Sequence, residues 1–268
     1  MNSRCCEARA GGNGKVSPDP RFSIPALARG VTDTLADGTD QHTLPSLRKT
    51  NHRISGRKDC VISRDALYTI WHNNAWQIIS EDYAYKTETY YSILKTEMEG
   101  KPVQPASADV IDAYVVPVCL ERAHLAGIPV CDWGISQGYA PLPSMVYGLN
   151  YFATASEYSI IHDSEQSKEV VKHITNKGKY PFCYQKLDDG FEIGSCIAIF
   201  GKTARKCSHT ADIAERVYNL FGLPLVTMVY VKYGNRSLLS SLAPVKYSQM
   251  SPEERSILSG YITGQEHL

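Results

Sequence analysis

From residue 60 onward the apolar positions recur at helical or strand spacing, whereas residues 1–59 carry no sustained apolar period. A helix is predicted after Ser63, with Ala66, Leu67, Ile70 and Trp71 on one face and Asn73-Asn74 as its stop. Trp76–Ile79 reads as a short strand. Thr87–Glu99 is a helix through Tyr90, Ile93, Leu94 and Met98, closed by Gly100 and Pro102. A helical stretch from Ser107 is split by Pro117 before Leu120–Leu125 and closed by Gly127. Ile128–Cys131 is predicted as a strand, Ser144–Thr154 as a helix bearing Met145, Leu149 and Phe152, and Ser159–His162 as a strand. Ser164 caps a helix carrying Val170, Val171 and Ile174, which ends at Asn176 or Gly178. Two strands, Tyr180–Gln185 and Phe191–Phe200, flank the turn Asp188-Asp189-Gly190. Ala211–Phe221 is an amphipathic helix. Leu225–Tyr233 and Ser237–Leu242 form a late hairpin around Gly234-Asn235. Ser251-Pro-Glu-Glu254 is a capping box that opens a C-terminal helix.

This order predicts an α/β (or α+β) domain over residues 60–268, with one mixed central sheet and flanking helices. Residues 1–59 are rich in Gly, Ser, Thr, Asp and Pro, and are expected to be a disordered extension. They hold an excess of four positive charges, and the rest of the chain an excess of four negative. Their basic run Arg48–Lys58 is read as part of a solvated tail before a nucleic-acid contact. Overall the 268 residues balance 28 basic against 28 acidic side chains, which argues against a dedicated nucleic-acid or membrane-surface binder. No apolar run approaches the roughly 18 residues of a membrane span, and no secretory core is visible, so a cytoplasmic globular protein is expected.

The eight cysteines contain no Cys-x-x-Cys pair, and free thiols without a metal site are expected, the irregular Cys183, Cys196, Cys207 and His209 set included. Gly201-Lys202-Thr203 suggests a phosphate loop, but the glycine required five residues earlier is replaced by Cys196. The densest polar-aromatic run, Glu81–Tyr91, leads from a strand end into a helix N-terminus, where unpaired N–H groups favour anions. Tyr83, Tyr85, Lys86 and Tyr90 are its candidate ligand-binding residues, with Lys86 and the hydroxyls donating to an oxyanion; amphipathic core is the competing reading. A secondary candidate is Cys131-Asp132-Trp133, in a Gly/Pro-containing loop after a strand. There Cys131 with His124 or His162 would make a nucleophile–base pair, against the simpler reading of a buried structural cysteine. Lys177-Gly178-Lys179 is a basic helix end that suits the helix dipole and offers a second, weaker anion contact. Seventeen tyrosines against six phenylalanines fit a binding face or an interface, a homo-oligomer included.

Two stretches resemble a known family. Ser80–Ala106, through Tyr83-Ala-Tyr85, Tyr90-Tyr91-Ser-Ile-Leu94 and Gly100, is similar to a segment of the N-terminal domain that precedes RimK-like ATP-grasp ligases. Glu192–Arg255, through Ile197-Ala-Ile-Phe-Gly201, Phe221-Gly-Leu-Pro-Leu-Val226 and Ser251-Pro-Glu-Glu254, resembles the C-terminal half of the same domain. Together they span about a third of the chain, at fold positions; Asp109–Phe191 is unmatched. The ligase module's basic nucleotide-clamping strands and its acidic and Asn metal ligands are not recognisable, and the chain stops near where that module would follow. The resemblance therefore implies a stand-alone accessory or substrate-binding domain of ATP-dependent carboxylate–amine ligation, taking a small acidic or peptide-like ligand, a partner ligase, or both. ATP and magnesium would enter only through that partner. The rival readings are an enzyme built on the Cys131 loop and an interaction module with no small-molecule ligand.

Overall fold

The computed structural model describes residues 66–150 and 153–264; the expectations for 1–59, the Arg48–Lys58 run included, and for Tyr151 and Phe152 lie outside the described residues. The chain begins with a hairpin, β1 (Tyr68–His72) and β2 (Ala75–Ile79), where a helix is predicted. Tyr-Thr-Ile-Trp is a β-branched and aromatic run that suits a pleated strand. Asn73 and Asn74 have φ of 49° and 60°, so the pair that reads as a helix stop is the two-residue turn of the hairpin. Helix α1 (Glu88–Met98) follows, with Thr87 Oγ1 accepting from the Tyr90 N–H at 3.1 Å as its N-cap. Strand β3 (Val103–Gln104) lies parallel to β2 and completes a three-stranded sheet.

Helices α2 (Ser107–Tyr114) and α3 (Val116–Leu125) are separated at Val115, with Pro117 in the first turn of α3, where its missing N–H costs nothing. Arg122 ties them together through Asp109 and Asp112, each at 2.7 Å, and lies over the Phe221 ring. Ile128–Cys131 forms only an isolated bridge, Val130 to Leu239. The strands here are β4 (Trp133–Ser136), β5 (Ser144–Gly148), β6 (Tyr158–Ile161) and β7 (Phe182–Lys186), in the antiparallel order β4-β7-β5-β6. The predicted helix from Ser144 is thus β5. A central strand buried on both faces is a short continuous apolar run, which periodicity cannot separate from a buried helix. Helix α4 (Ser164–Ile174) is capped by Asp163, whose Oδ1 accepts from Glu165 and Gln166, and it covers the outer face of this sheet through Val171.

The second four-stranded antiparallel sheet runs β11-β10-β8-β9, from β8 (Glu192–Ile199), β9 (Lys202–Thr203), β10 (Leu225–Tyr233) and β11 (Arg236–Ala243). Helix α5 (Ala211–Phe221) buries Ile213, Ala214, Val217 and Phe221 against its outer face. Gly222, at φ 64°, closes that helix in a left-handed cap. Helix α6 (Pro252–Thr263) carries the predicted capping box between Ser251 and Glu254. The single mixed central sheet is therefore replaced by three sheets within a mixed helix–strand fold. The Asp188-Asp189-Gly190 turn is not a hairpin but the passage from one antiparallel sheet to the other.

Candidate functional site

The two four-stranded sheets face each other, and side chains from both fill the layer between them. Met145 and Tyr147 from β5 and Cys183 from β7 pack against Val229 and Val231 of β10 and Leu238 of β11, with Val116 and Leu120 of α3 at one side. Alternation along the strands produces this layer: Met145 and Tyr147 of β5 and Val229 and Val231 of β10 point in, while Val146, Val226 and Met228 point out to α4 and α5. A hydroxyl network crosses the layer. Tyr147 Oη lies 2.8 Å from Ser240 Oγ and donates to Ser241 Oγ at 3.2 Å, and Ser241 in turn donates to the Ala155 carbonyl at 2.7 Å. Gln185 Nε2 donates to the Ser240 carbonyl at 2.9 Å, and its Oε1 is buried without a partner. All four polar side chains are fully enclosed. Burial drives the Tyr147 hydroxyl upward in pKa, against the serine hydrogen bonds, so it stays a neutral phenol.

A magnesium–nucleotide held between these sheets would need cationic side chains for the phosphates and carboxylates for the metal. The layer supplies neither. Among the described residues Glu254 is the one charged side chain in the buried set, and it caps α6 away from the layer. No group of three His, Cys, Asp or Glu side chains able to hold a metal is found among the described residues. The residues present between the sheets do not fit a magnesium–nucleotide.

The Glu81–Tyr91 run occupies the entry to α1, but its four candidates divide. Tyr83 is fully buried, and its hydroxyl accepts from the Ser80 N–H at 3.1 Å; burial pushes its pKa up. Tyr90 is 7% exposed and packs edge-on to the Tyr85 ring at 5.4 Å. Only Tyr85, at 58%, and Lys86 stand in solvent, with the ammonium over the Tyr85 ring at 5.6 Å. Lys86 sits at φ 75°, inside a turn fixed by Ala84 N–H to Asp82 Oδ1 and Thr87 N–H to the Ala84 carbonyl. The run thus has a buried half and an exposed half, a division that the sequence pattern does not reveal.

The loop at Cys131 is assembled differently from a nucleophile site. The thiol is 4% exposed and is pushed up to about 12 by burial, with the Asp188 carboxylate adding to the rise and Arg236 opposing it. An activated thiolate needs the reverse surroundings. No hydrogen bond joins Cys131 to His124 or His162 among the described residues, and the His162 ring stacks on Phe191 instead. Asp132 uses its carbonyl to accept from Lys186 N–H at 2.8 Å, and Trp133 packs half-buried at the edge of the inter-sheet layer. Cys119, Cys131, Cys183, Cys196 and Cys207 are all free and buried. No described helix is long and apolar enough to cross a membrane.

Sequence reasoning missed the Tyr147–Ser240–Ser241–Gln185 network. Its one signal was the pair Ser240-Ser241 inside an otherwise apolar strand, Leu238–Ala243, since adjacent buried hydroxyls need partners.

No protein-family model matches the sequence, and no curated protein matches it. Among solved structures, the chain is similar to a RimK domain protein ATP-grasp from Sphaerobacter thermophilus DSM 20745, with TM-score 0.50 and 15% identity, over 66% of this chain and 78% of that one. It is also similar to the ATP-grasp ligase PsnB complexed with minimal precursor, Mg and ADP (TM-score 0.48, 15% identity, 66% of each chain). A third similar structure is D-alanine-D-alanine ligase from Helicobacter pylori (TM-score 0.48, 9% identity, 64% of this chain and 65% of that one). The chain thus spans about two thirds of the length of the latter two. The likeness to the Sphaerobacter protein gives this chain an ATP-grasp-like fold. The finer expectation, a stand-alone N-terminal domain without the ligase module, is not carried by this likeness.

Proposed function

We propose that this chain is an accessory module of ATP-dependent carboxylate–amine ligation that has the ligase architecture but recognises a ligand or partner instead of turning over a nucleotide. The observation that carries this reading is the uncharged, closed layer between the two antiparallel sheets, where Tyr147, Ser240, Ser241 and Gln185 bond to protein groups. The fold shared with the Sphaerobacter ATP-grasp protein and the two family-like stretches support the link to ligation chemistry. Within this reading Tyr85 and Lys86 are the groups that meet an acidic or peptide-like ligand, with the Tyr85 ring packed edge-on against buried Tyr90. A partner ligase would supply ATP and magnesium. A second reading, a pure interface, is favoured by the exposure of Tyr85, just before the α1 cap, and of Tyr91 in the first turn of α1.

The test is a thermal-shift screen of the purified chain with nucleotides plus magnesium, amino acids and short acidic peptides. A ligand of the native state stabilises by about 2.7 kcal/mol at a hundredfold excess over its dissociation constant. A shift with an acidic peptide, reduced in Lys86→Ala, is the expected result. A shift with magnesium–ATP alone would overturn the reading, and no shift with any of them would favour the interface.

A further inference from the structure

The exposed side of α4 and the basic turn that follows it, Lys177-Gly178, form a charged groove. A groove of about 430 Å3 is lined by Gly138 from the loop after β4, by Lys168, Val171, Lys172 and Thr175 of α4 and its cap, and by Lys177 and Gly178 just beyond. Lys168 and Lys172 are four residues apart and so stand on one face. None of the three lysines enters an ion pair among the described residues. No carboxylate lines the groove; Glu165 and Glu169 of the same helix are outside it. Thr175 does not compete for a ligand, since its hydroxyl donates to the Val171 carbonyl at 2.6 Å and accepts from Gly178 N–H at 2.8 Å. Asn176, Lys177 and Gly178 are successively left-handed, at φ 50°, 60° and 82°. Lysine is disfavoured in that region, so the turn holds Lys177 at the rim against a backbone cost.

We propose that this groove is a docking site for an acidic peptide segment, its carboxylates meeting Lys168, Lys172 and Lys177 and an apolar side chain resting over Val171. Charge complementarity selects the class of occupant. Three compact ammonium groups around an apolar floor suit carboxylates spaced along an extended chain. Base recognition in a single strand would instead call for stacking aromatics, and the groove lining has none. The proposal deepens the recognition-module reading and rests on it, but it uses a surface separate from Tyr85 and Lys86.

The experiment is fluorescence anisotropy with a labelled hexapeptide of sequence Glu-Leu-Glu-Glu-Leu-Glu, with its Gln-for-Glu counterpart and a labelled oligothymidine as controls. Binding of the acidic peptide alone, weakening as salt rises from about 0.05 to 0.5 M, is expected. Lys168→Glu with Lys172→Glu should weaken it by at least about tenfold, as expected for reversal of complementary charges. Lys168→Arg with Lys172→Arg should retain it. Lys177→Asn, which keeps a residue tolerant of the left-handed region, gives a third reading without refolding the turn. Absence of binding to the unaltered protein, tighter binding of the oligothymidine, or binding undiminished by Lys168→Glu with Lys172→Glu would each overturn the proposal. A magnesium–ATP titration in the same cuvette separates failure of the groove from failure of the nucleotide-free reading.

Discussion

Truncating Tyr147 to alanine tests whether the layer between the sheets is a packed core or an open cleft. The side chain is fully buried, its ring is 6.0 Å from that of Tyr158, and its hydroxyl bridges Ser240 and Ser241. Removing a buried aromatic side chain from a core costs about 3–5 kcal/mol. Ser241 keeps the Ala155 carbonyl, but Ser240 is left with the weakly accepting Met145 sulfur at 3.3 Å, so the value expected here lies in the upper part of that range. Tyr147→Phe isolates the hydroxyl, and should cost about 1–1.5 kcal/mol as one buried hydrogen bond. Urea unfolding followed by circular dichroism measures both, and the truncation should lower the Tm by roughly 8–20 °C for a domain of this size. A cost below about 1 kcal/mol for Tyr147→Ala would refute the reasoning, because a side chain lining an empty cleft loses little on truncation.

Other outcomes follow from individual contacts. A Cβ at Gly194 would run into the Tyr230 ring across the β8–β10 pair, so Gly194→Ala should destabilise by about 1–3 kcal/mol. Tyr230→Ser should recover much of that, and a double-mutant cycle showing strict additivity would contradict the contact. Glu254 is fully enclosed; burial pushes its pKa up, but hydrogen bonds from Ser251 and the Lys206 ammonium outweigh this and hold it below the ordinary carboxylate value. Its stabilisation is therefore present above about pH 4.3 and lost as pH falls through the lower folded value. Glu254→Gln should accordingly cost about 1–2 kcal/mol at pH 7, and the deficit should shrink in acid-unfolding curves; a pH-independent deficit would contradict the ion pair. Iodoacetamide at pH 8 should leave Cys119, Cys131, Cys183 and Cys196 unmodified in the native protein, since burial drives each thiol up to about 12; rapid labelling of Cys131 by peptide mapping would revive a nucleophile there.

Amphipathic helices were the legible part of the fold. The α1 helix, the Pro117 break and the capping box at Ser251 each follow from local chemistry, although of the predicted α1 stripe Tyr90 and Ile93 are buried while Met98, at 82%, stands in solvent. Two segments failed for a shared reason. Tyr68–His72 and Ser144–Gly148 are five-residue apolar runs whose identity as strands depends on partners elsewhere in the chain, Ala75–Ile79 for one and β6 with β7 for the other. The division into two facing sheets was equally hidden, because Asp188-Asp189-Gly190 has the composition of a hairpin turn while joining strands of different sheets. At the candidate site, Tyr85 and Lys86 look the same in sequence as Tyr83 and Tyr90, and only the fold decides which pair is enclosed.

Calorimetric titration of magnesium–ATP into the full chain tests the central claim most directly, namely that an ATP-grasp-like architecture here encloses a layer with no place for the nucleotide. No saturable heat is expected up to about 1 mM, a limit weaker than about −4 kcal/mol of binding free energy. Saturable, magnesium-dependent binding in the micromolar range, abolished by a substitution at Tyr147 or Ser240, would contradict it.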